Sequence, residues 1–162
     1  IIGLGACGKE VAKRLKAFDC EILINDIKVD KNFCKKYALK SVSLKRILTD
    51  CEIITIHVPL TDKTHNLISI KELKLMKKNT ILINTARGEV IDFKSLKKIL
   101  QTKRIRLVID AFSTEPLGRD NILNKKNSIF TPHIGGTTIE SKLRIGRKNI
   151  KDLREKFNKW KK

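Results

Sequence analysis

Gly3, Gly5 and Gly8 stand in the spacing G-x-G-x-x-G, between the apolar pair Ile1-Ile2 and a helical stretch from Gly8 to Phe18. A strand that turns at once into a helix uses each glycine differently. The first permits the tight turn, the second leaves backbone open to a ligand, and the third lets helix and strand pack closely. Asp26 follows the first glycine by about the twenty residues that a βαβ unit occupies, within an apolar stretch, Glu21 to Ile27, that reads as a second strand. This context separates the pattern from a chance recurrence of glycines and demands a parallel α/β arrangement.

The same residues specify a ligand. A helix that begins at the glycine loop aims its free N–H groups at phosphates. An acid at the end of the second strand accepts both hydroxyls of an adenosine ribose and repels a 2′-phosphate. The loop of Gly3, Gly5, Ala6, Cys7 and Gly8, with Asp26, therefore predicts a dinucleotide site that favours NAD over NADP. Cys7 lies where a helix N-terminus stabilises a thiolate, so it reads either as a reactive thiol or as inert packing.

Further strand candidates recur with helices between them. They are Ile1 to Leu4, Glu21 to Asn25, Glu52 to His57, Thr80 to Asn84, Arg106 to Asp110 and Ser128 to Thr131. Short, β-branched and nearly all apolar, they suit parallel strands covered on both faces. The helices predicted between and after them run Gly8 to Phe18, Lys31 to Tyr37, Leu44 to Thr49, Ile70 to Met76, Phe93 to Gln101 and about Thr138 to Trp160. Such alternation predicts a doubly wound parallel sheet of Rossmann type, in one domain over residues 1–162. In the last helix, Ile139, Leu143, Ile150, Leu153 and Phe157 share a face, which predicts a stripe buried against the sheet, with Trp160 as a packing residue. Pro59, Pro116 and Pro132 mark turns near strand ends.

Composition narrows the partners. A length of 162 residues with 41% hydrophobic and 33% charged residues suits a globular domain. No apolar run reaches the length that crosses a bilayer, and the first residues lack the pattern of a secretory leader, so the expectation is a cytoplasmic protein without a membrane partner. Cys7, Cys20, Cys34 and Cys51 form no C-x-x-C pair, which predicts neither a metal site nor a disulfide framework. The formal net charge of +19 attracts polyanions. Its lysines, however, are spread over most helices (Lys13, Lys16, Lys35, Lys36, Lys77, Lys78, Lys97, Lys98) and aromatics make up only 5%. No basic stripe interleaved with aromatics results, and nucleic acid is not the expected partner.

Three segments fall at the C-terminal ends of successive strands, the edge where open α/β sheets bind ligands. They are Asn84 to Asp92, Asp110 to Pro116 and Thr131 to Thr138. Together they bring an arginine, a carboxylate and a histidine to one rim. Arg87 offers a fork suited to a substrate carboxylate, and His133 supplies an imidazole, the side-chain type suited to exchange a proton with a substrate. Glu115, where it reaches His133, would fix its tautomer and favour its charged form. His57 and His65 read as a hydrogen-bonded strand end and a turn residue.

In these motifs, and in His57-Val58-Pro59-Leu60-Thr61, the sequence strongly resembles the D-2-hydroxyacid dehydrogenase family, most closely its phosphoglycerate dehydrogenase branch. The resemblance implies that Arg87 holds the substrate carboxylate and carbonyl, that His133 exchanges a proton with the hydroxyl, and that Glu115 supports His133. It implies too that Asp110 meets the nicotinamide carboxamide side, that Pro59, Thr85 and Ala86 line the cofactor, and that Gly135 and Gly136 belong to the same site. The reaction implied is hydride transfer between C2 of a 2-hydroxy acid and the nicotinamide ring. The first reading for substrate is 3-phosphoglycerate, in serine biosynthesis. The alternatives are glyoxylate or hydroxypyruvate reduction by the same residues, and a non-catalytic NAD-sensing module like the corepressors that share the fold. A homodimer is also implied.

Two departures qualify the resemblance. Family members often carry an arginine in the glycine loop where Ala6 and Cys7 stand here, which predicts reduced cofactor affinity. The family also builds a second lobe from sequence outside this segment. The chain is therefore expected to be the dinucleotide-binding domain of a two-lobe enzyme, able to bind NAD and poor at turnover on its own.

Overall fold

The structure is a computed structural model that describes residues 1–101, 105–115 and 128–160. The chain divides into two compact units, Ile1–Pro132 and His133–Lys162.

The first unit is organised on parallel strands. β1 (Leu23–Ile24) pairs with β2 (Lys40–Ser41), while β3 (Ile53–Ile56), β4 (Ile81–Asn84), β5 (Arg106–Ile109) and β6 (Ile129–Phe130) pair in that order. The chain start joins the two groups. Ile2 bridges Asn25 on one side and Ile56 on the other, both in parallel sense. Its N–H donates to Thr55 O at 2.9 Å, and its carbonyl accepts the His57 N–H at 2.7 Å. Gly3 N–H reaches Asn25 O at 2.8 Å, so backbone bonding continues into the glycine loop. With the Ile1–Gly3 segment counted as the first strand, the order from one edge is third, second, first, fourth, fifth, sixth, seventh. That is the doubly wound order of a Rossmann fold, whose switch point lies between the chain start and β3.

Alternation along the strands explains why helices cover both faces. Ile2 and Leu23 enter one apolar cluster with Ile54, Ile56, Leu82 and Leu107. Ile1, Ile22 and Ile24, their alternating neighbours, enter a second cluster with Leu4, Ala12 and Cys34. A strand buried on both sides reads as a continuous apolar run, as these do. Leu73, Leu96 and Ile99 from two helices, with Met76 just past the end of the helix that carries Leu73, complete the first cluster. Each such side chain contributes about 1.5–3 kcal/mol by leaving water.

Among the described residues this unit holds the α-helices α1 (Ala6–Leu15), α2 (Lys31–Tyr37), α3 (Leu44–Asp50), α4 (Ile70–Leu75) and α5 (Phe93–Gln101). α1 begins two residues before the position the sequence suggests, because Gly5 already serves as its cap, and it continues into a 3-10 turn over Lys16–Phe18. Asp30 caps α2 by accepting the Phe33 N–H, and Ser69 with Glu72 forms a capping box on α4. β2 is an addition to the expected strands. Lys40 and Ser41 are exposed and lack an apolar signal; their pairing is made by backbone, Lys40 N–H to Ile22 O at 3.0 Å.

The second unit holds a loop and α6 (Ile139–Trp160), whose start is fastened by Thr138 Oγ1 accepting the Ser141 N–H at 3.1 Å. The apolar stripe is present at helical spacing, but the expected burial is corrected. No described residue of α6 is buried; Leu143 is 54% exposed, Leu153 66% and Trp160 87%. Amphipathic spacing identifies the face that gains from cover, not what covers it. Among the described residues no helix is long and apolar enough to cross a membrane.

Candidate functional site

The glycine loop separates its three positions as their spacing requires. Gly3 has φ +91°, and a Cβ there would lie 2.7 Å from the His57 carbonyl carbon and oxygen and 2.9 Å from Val58 Cγ1. A Cβ on Gly8 would fall 2.1 Å from Gly3 O. Those two glycines are filled against by protein. A Cβ on Gly5 would meet nothing within 4 Å. Gly5 caps α1 without a side-chain hydrogen bond, and the helix has no acidic residue in its first turn. The first N–H groups of a helix have no partner within it and carry its positive dipole end. The opening above Gly5 thus fits the phosphates of a dinucleotide, with Ala6 and Cys7 exposed at its edge.

Asp26 stands just beyond β1 and turns back onto this loop. Its Oδ2 accepts the Leu4 N–H at 2.5 Å, and Oδ1 accepts the Lys28 N–H at 2.7 Å. Half-buried, the carboxylate both sets the glycine loop and keeps its negative charge beside it. On the other side of the switch point, Pro59 is exposed after β3, and its carbonyl accepts the Thr64 hydroxyl at 2.6 Å. His57 shares a hydrogen bond of 2.9 Å with Thr55 Oγ1, and burial holds its ring pKa below the ordinary value. His65 is exposed in the following turn.

The next two loops are locked together. Asn84 ends β4 with 1% of its surface exposed. Its amide nitrogen donates to Arg87 O at 2.9 Å, and its amide oxygen accepts the Ala86 N–H at 3.0 Å. The side chain thus closes the loop of Thr85, Ala86 and Arg87 from inside. Arg87 is exposed, and its Nη1 donates to Ala86 O at 2.7 Å. Gly88 then abuts the loop after β5: a Cβ there would lie 2.1 Å from Phe112 C and from Ser113 N. In that loop Glu115 Oε1 accepts the Phe112 N–H at 2.9 Å. Asp110 is buried, takes the Thr131 hydroxyl on Oδ1 at 2.5 Å, and donates its own N–H to Asn84 O at 3.0 Å.

The structure therefore brings the Arg87 and Glu115 loops into contact through Gly88, and ties Asp110 to the same strand end. His133 opens the second unit, exposed and with φ +53°, a left-handed backbone that side chains adopt sparingly. Gly135 and Gly136 follow in its exposed loop, where a Cβ on Gly136 would meet nothing within 4 Å. Pro116 lies outside the described residues. Asn84, Gly88 and Thr131 lie in segments that the sequence singles out, but no role of their own is expected for them there. The signal for Asn84 was an Asn two residues before a loop residue, the spacing of an Asx turn.

A cavity of about 470 Å³ lies at the opposite edge of the sheet, lined by strand starts such as Ile1, Leu23 and Ile53 and by Arg46 and Lys77. It touches neither the glycine loop nor Arg87. Among the described residues no cluster of three or more His, Cys, Asp or Glu side chains comes together to hold a metal.

Comparison with known proteins agrees with this geometry. Residues 1–135 match the family model described as D-isomer specific 2-hydroxyacid dehydrogenase, NAD binding domain. D-3-phosphoglycerate dehydrogenase of Methanocaldococcus jannaschii is 38% identical over 148 residues, which covers 90% of this chain and 28% of that protein. Glyoxylate reductase of Aeropyrum pernix is 38% identical over 147 residues, covering 90% of this chain and 44% of that one. The structure of D-lactate dehydrogenase from Aquifex aeolicus complexed with NAD and lactic acid matches with a TM-score of 0.86 at 30% identity, over 97% of this chain and 52% of its own. The chain thus spans about half or less of the relatives it matches. With the dinucleotide loop open over Gly5 and the family match running through it, the chain belongs to the D-isomer specific 2-hydroxyacid dehydrogenases, as their NAD-binding domain.

Proposed function

We propose that the protein carrying this chain is an oxidoreductase that exchanges a hydride between NAD and a D-2-hydroxy acid. The observation that carries the reading is the locked pair of loops beside the dinucleotide turn, with Arg87 exposed on one and Glu115 on the other. NAD supplies the hydride acceptor or donor when bound. Gly5 and the start of α1 hold its phosphates, Asp26 its adenosine ribose, and Pro59, Thr85, Ala86 and Asp110 its remaining length, with Gly135 and Gly136 at the same site. Arg87 binds the acid's carboxylate through its fork. His133 takes the hydroxyl proton in oxidation and returns it in reduction, and Glu115 supports the charged imidazole.

The substrate proposed first is 3-phosphoglycerate, in serine biosynthesis, and the protein is proposed to be a cytoplasmic homodimer, the last by its family resemblance. The relatives include glyoxylate reductases at the same 38% identity, which keeps glyoxylate and hydroxypyruvate as the alternative. Assay of the full natural-length protein against 3-phosphoglycerate, glyoxylate, hydroxypyruvate and lactate, following NADH absorbance, tests both. Turnover of one acid that falls about 10²-fold or more in His133→Ala supports the reading, at the scale of a lost general acid or base. Turnover unchanged by that substitution, or no turnover of any 2-hydroxy or 2-keto acid, overturns it.

A further inference from the structure

We infer that Asn84 is a positioning residue, which acts on the substrate acid through Arg87. The inference rests on the carboxylate-binding role proposed for Arg87. Asn84 is buried at the end of β4, in register between Ile56 on one neighbour strand and Ile109 on the other. Its backbone is therefore fixed by the sheet. Its side chain spans the loop, donating to Arg87 O and accepting from Ala86 N–H. Arg87 lies three residues on, with extended backbone, φ −141° and ψ 142°, before the 3-10 turn Gly88–Val90. The far side of the loop is pressed against Phe112 and Ser113 at Gly88. Arg87 is thus an exposed residue of a loop held at one end by Asn84 and at the other by the contact of Gly88 with Phe112 and Ser113.

Asparagine alone among the side chains of this size does both halves of the bridge. Aspartate keeps the acceptor for Ala86 N–H, loses the donor and faces Arg87 O with negative charge. Serine keeps the short acceptor of an ST turn, but its single hydroxyl is too short to span from the Ala86 N–H to the Arg87 carbonyl. Glutamine is a methylene too long, and leucine leaves the Ala86 N–H without its acceptor and the Arg87 carbonyl with the Val90 N–H alone. With the donor gone, the Arg87 carbonyl keeps only its 3.3 Å bond from the Val90 N–H, and the backbone that carries the guanidinium is held less firmly toward one direction. A fork binds a carboxylate in ground and transition state alike, so its disorder raises KM more than it lowers kcat.

The test uses the full natural-length protein with NADH and its best 2-keto acid, and the variants Asn84→Asp, Asn84→Ser and Arg87→Lys. Expected is a KM for the keto acid raised about tenfold in both Asn84 variants, with kcat within about threefold and NAD affinity by calorimetry within about twofold. In the Arg87→Lys background, where no fork remains to be aimed, Asn84→Ser should change kcat/KM by less than about twofold. Wild-type KM in Asn84→Ser overturns the inference. So does an effect that multiplies in full with Arg87→Lys, or loss of NAD binding in both Asn84 variants, which assigns Asn84 to the fold alone. If Arg87→Lys leaves kcat/KM unchanged for every acid tested, the role of Arg87 itself fails, a result distinct from any of these.

Discussion

Gly5 and Gly8 are three residues apart, and a side chain added at each should read out on a different axis. A methyl group on Gly8 meets Gly3 O at 2.1 Å, so Gly8→Ala overpacks the strand-to-helix turn. The expected loss is about 1–3 kcal/mol, seen in urea melts. Gly5→Val meets no protein atom and should cost under about 1 kcal/mol, the scale of a changed helix cap. It should still weaken NAD binding about tenfold or more in calorimetry, since it fills the opening over α1. Equal effects of the two variants on melting would refute this division of labour. Asp26→Asn keeps an acceptor for Leu4 N–H while removing the charge, so NAD should lose its preference over NADP by about tenfold, roughly 1.4 kcal/mol, measured as a ratio of dissociation constants. The separate purposes of these residues were legible from spacing. The hydrogen bond from Leu4 N–H to Asp26 was not, because it joins residues twenty-two apart through a turn whose shape the spacing leaves open.

At the level of the element, α5 shows a cap whose strength depends on pH. Asp92 accepts the Lys94 N–H at 3.1 Å and the Ser95 hydroxyl at 2.5 Å. The Ser95 hydroxyl first, and the Lys94 and Ser95 N–H groups after it, hold the carboxyl below the usual carboxylate range. A folded-state pKa below the unfolded one gives stability that is present above the unfolded value and lost as pH falls through the folded value. Asp92→Ala should therefore cost about 1 kcal/mol near neutrality. The difference from wild type should shrink toward zero as melts are taken to acid below pH 4. A gap that stays constant across that range would remove the carboxylate from the account. α5 could be read from its periodicity almost to the residue, because burial of Leu96, Ile99 and Leu100 sets its face. β2 could not be, since exposed Lys40 and Ser41 carry no apolar pattern and pair by backbone alone.

For the molecule as a whole, the two units respond differently to the same kind of substitution. Leu82→Ser opens a hole in the first core, where Leu82 is fully buried, and should cost several kcal/mol, in the range of about 2–5 for large-to-small core changes. Leu143→Ser and Leu153→Ser, both on exposed positions of α6, should together shift the unfolding free energy of residues 1–162 by under about 0.5 kcal/mol. A large loss in the paired α6 variant would show that the helix is covered in solution. The doubly wound order was legible because strand and helix patterns alternate in sequence. Burial of α6 was not, because a stripe of Leu143, Ile150 and Leu153 has the same spacing whether or not anything lies on it. The contact at Gly88 is a wider constraint. With no room between that α-carbon and the peptide joining Phe112 to Ser113, neither loop can be lengthened or re-aimed without the other. Anyone redesigning the acid that this scaffold accepts would have to transplant the two strand ends as a single cassette.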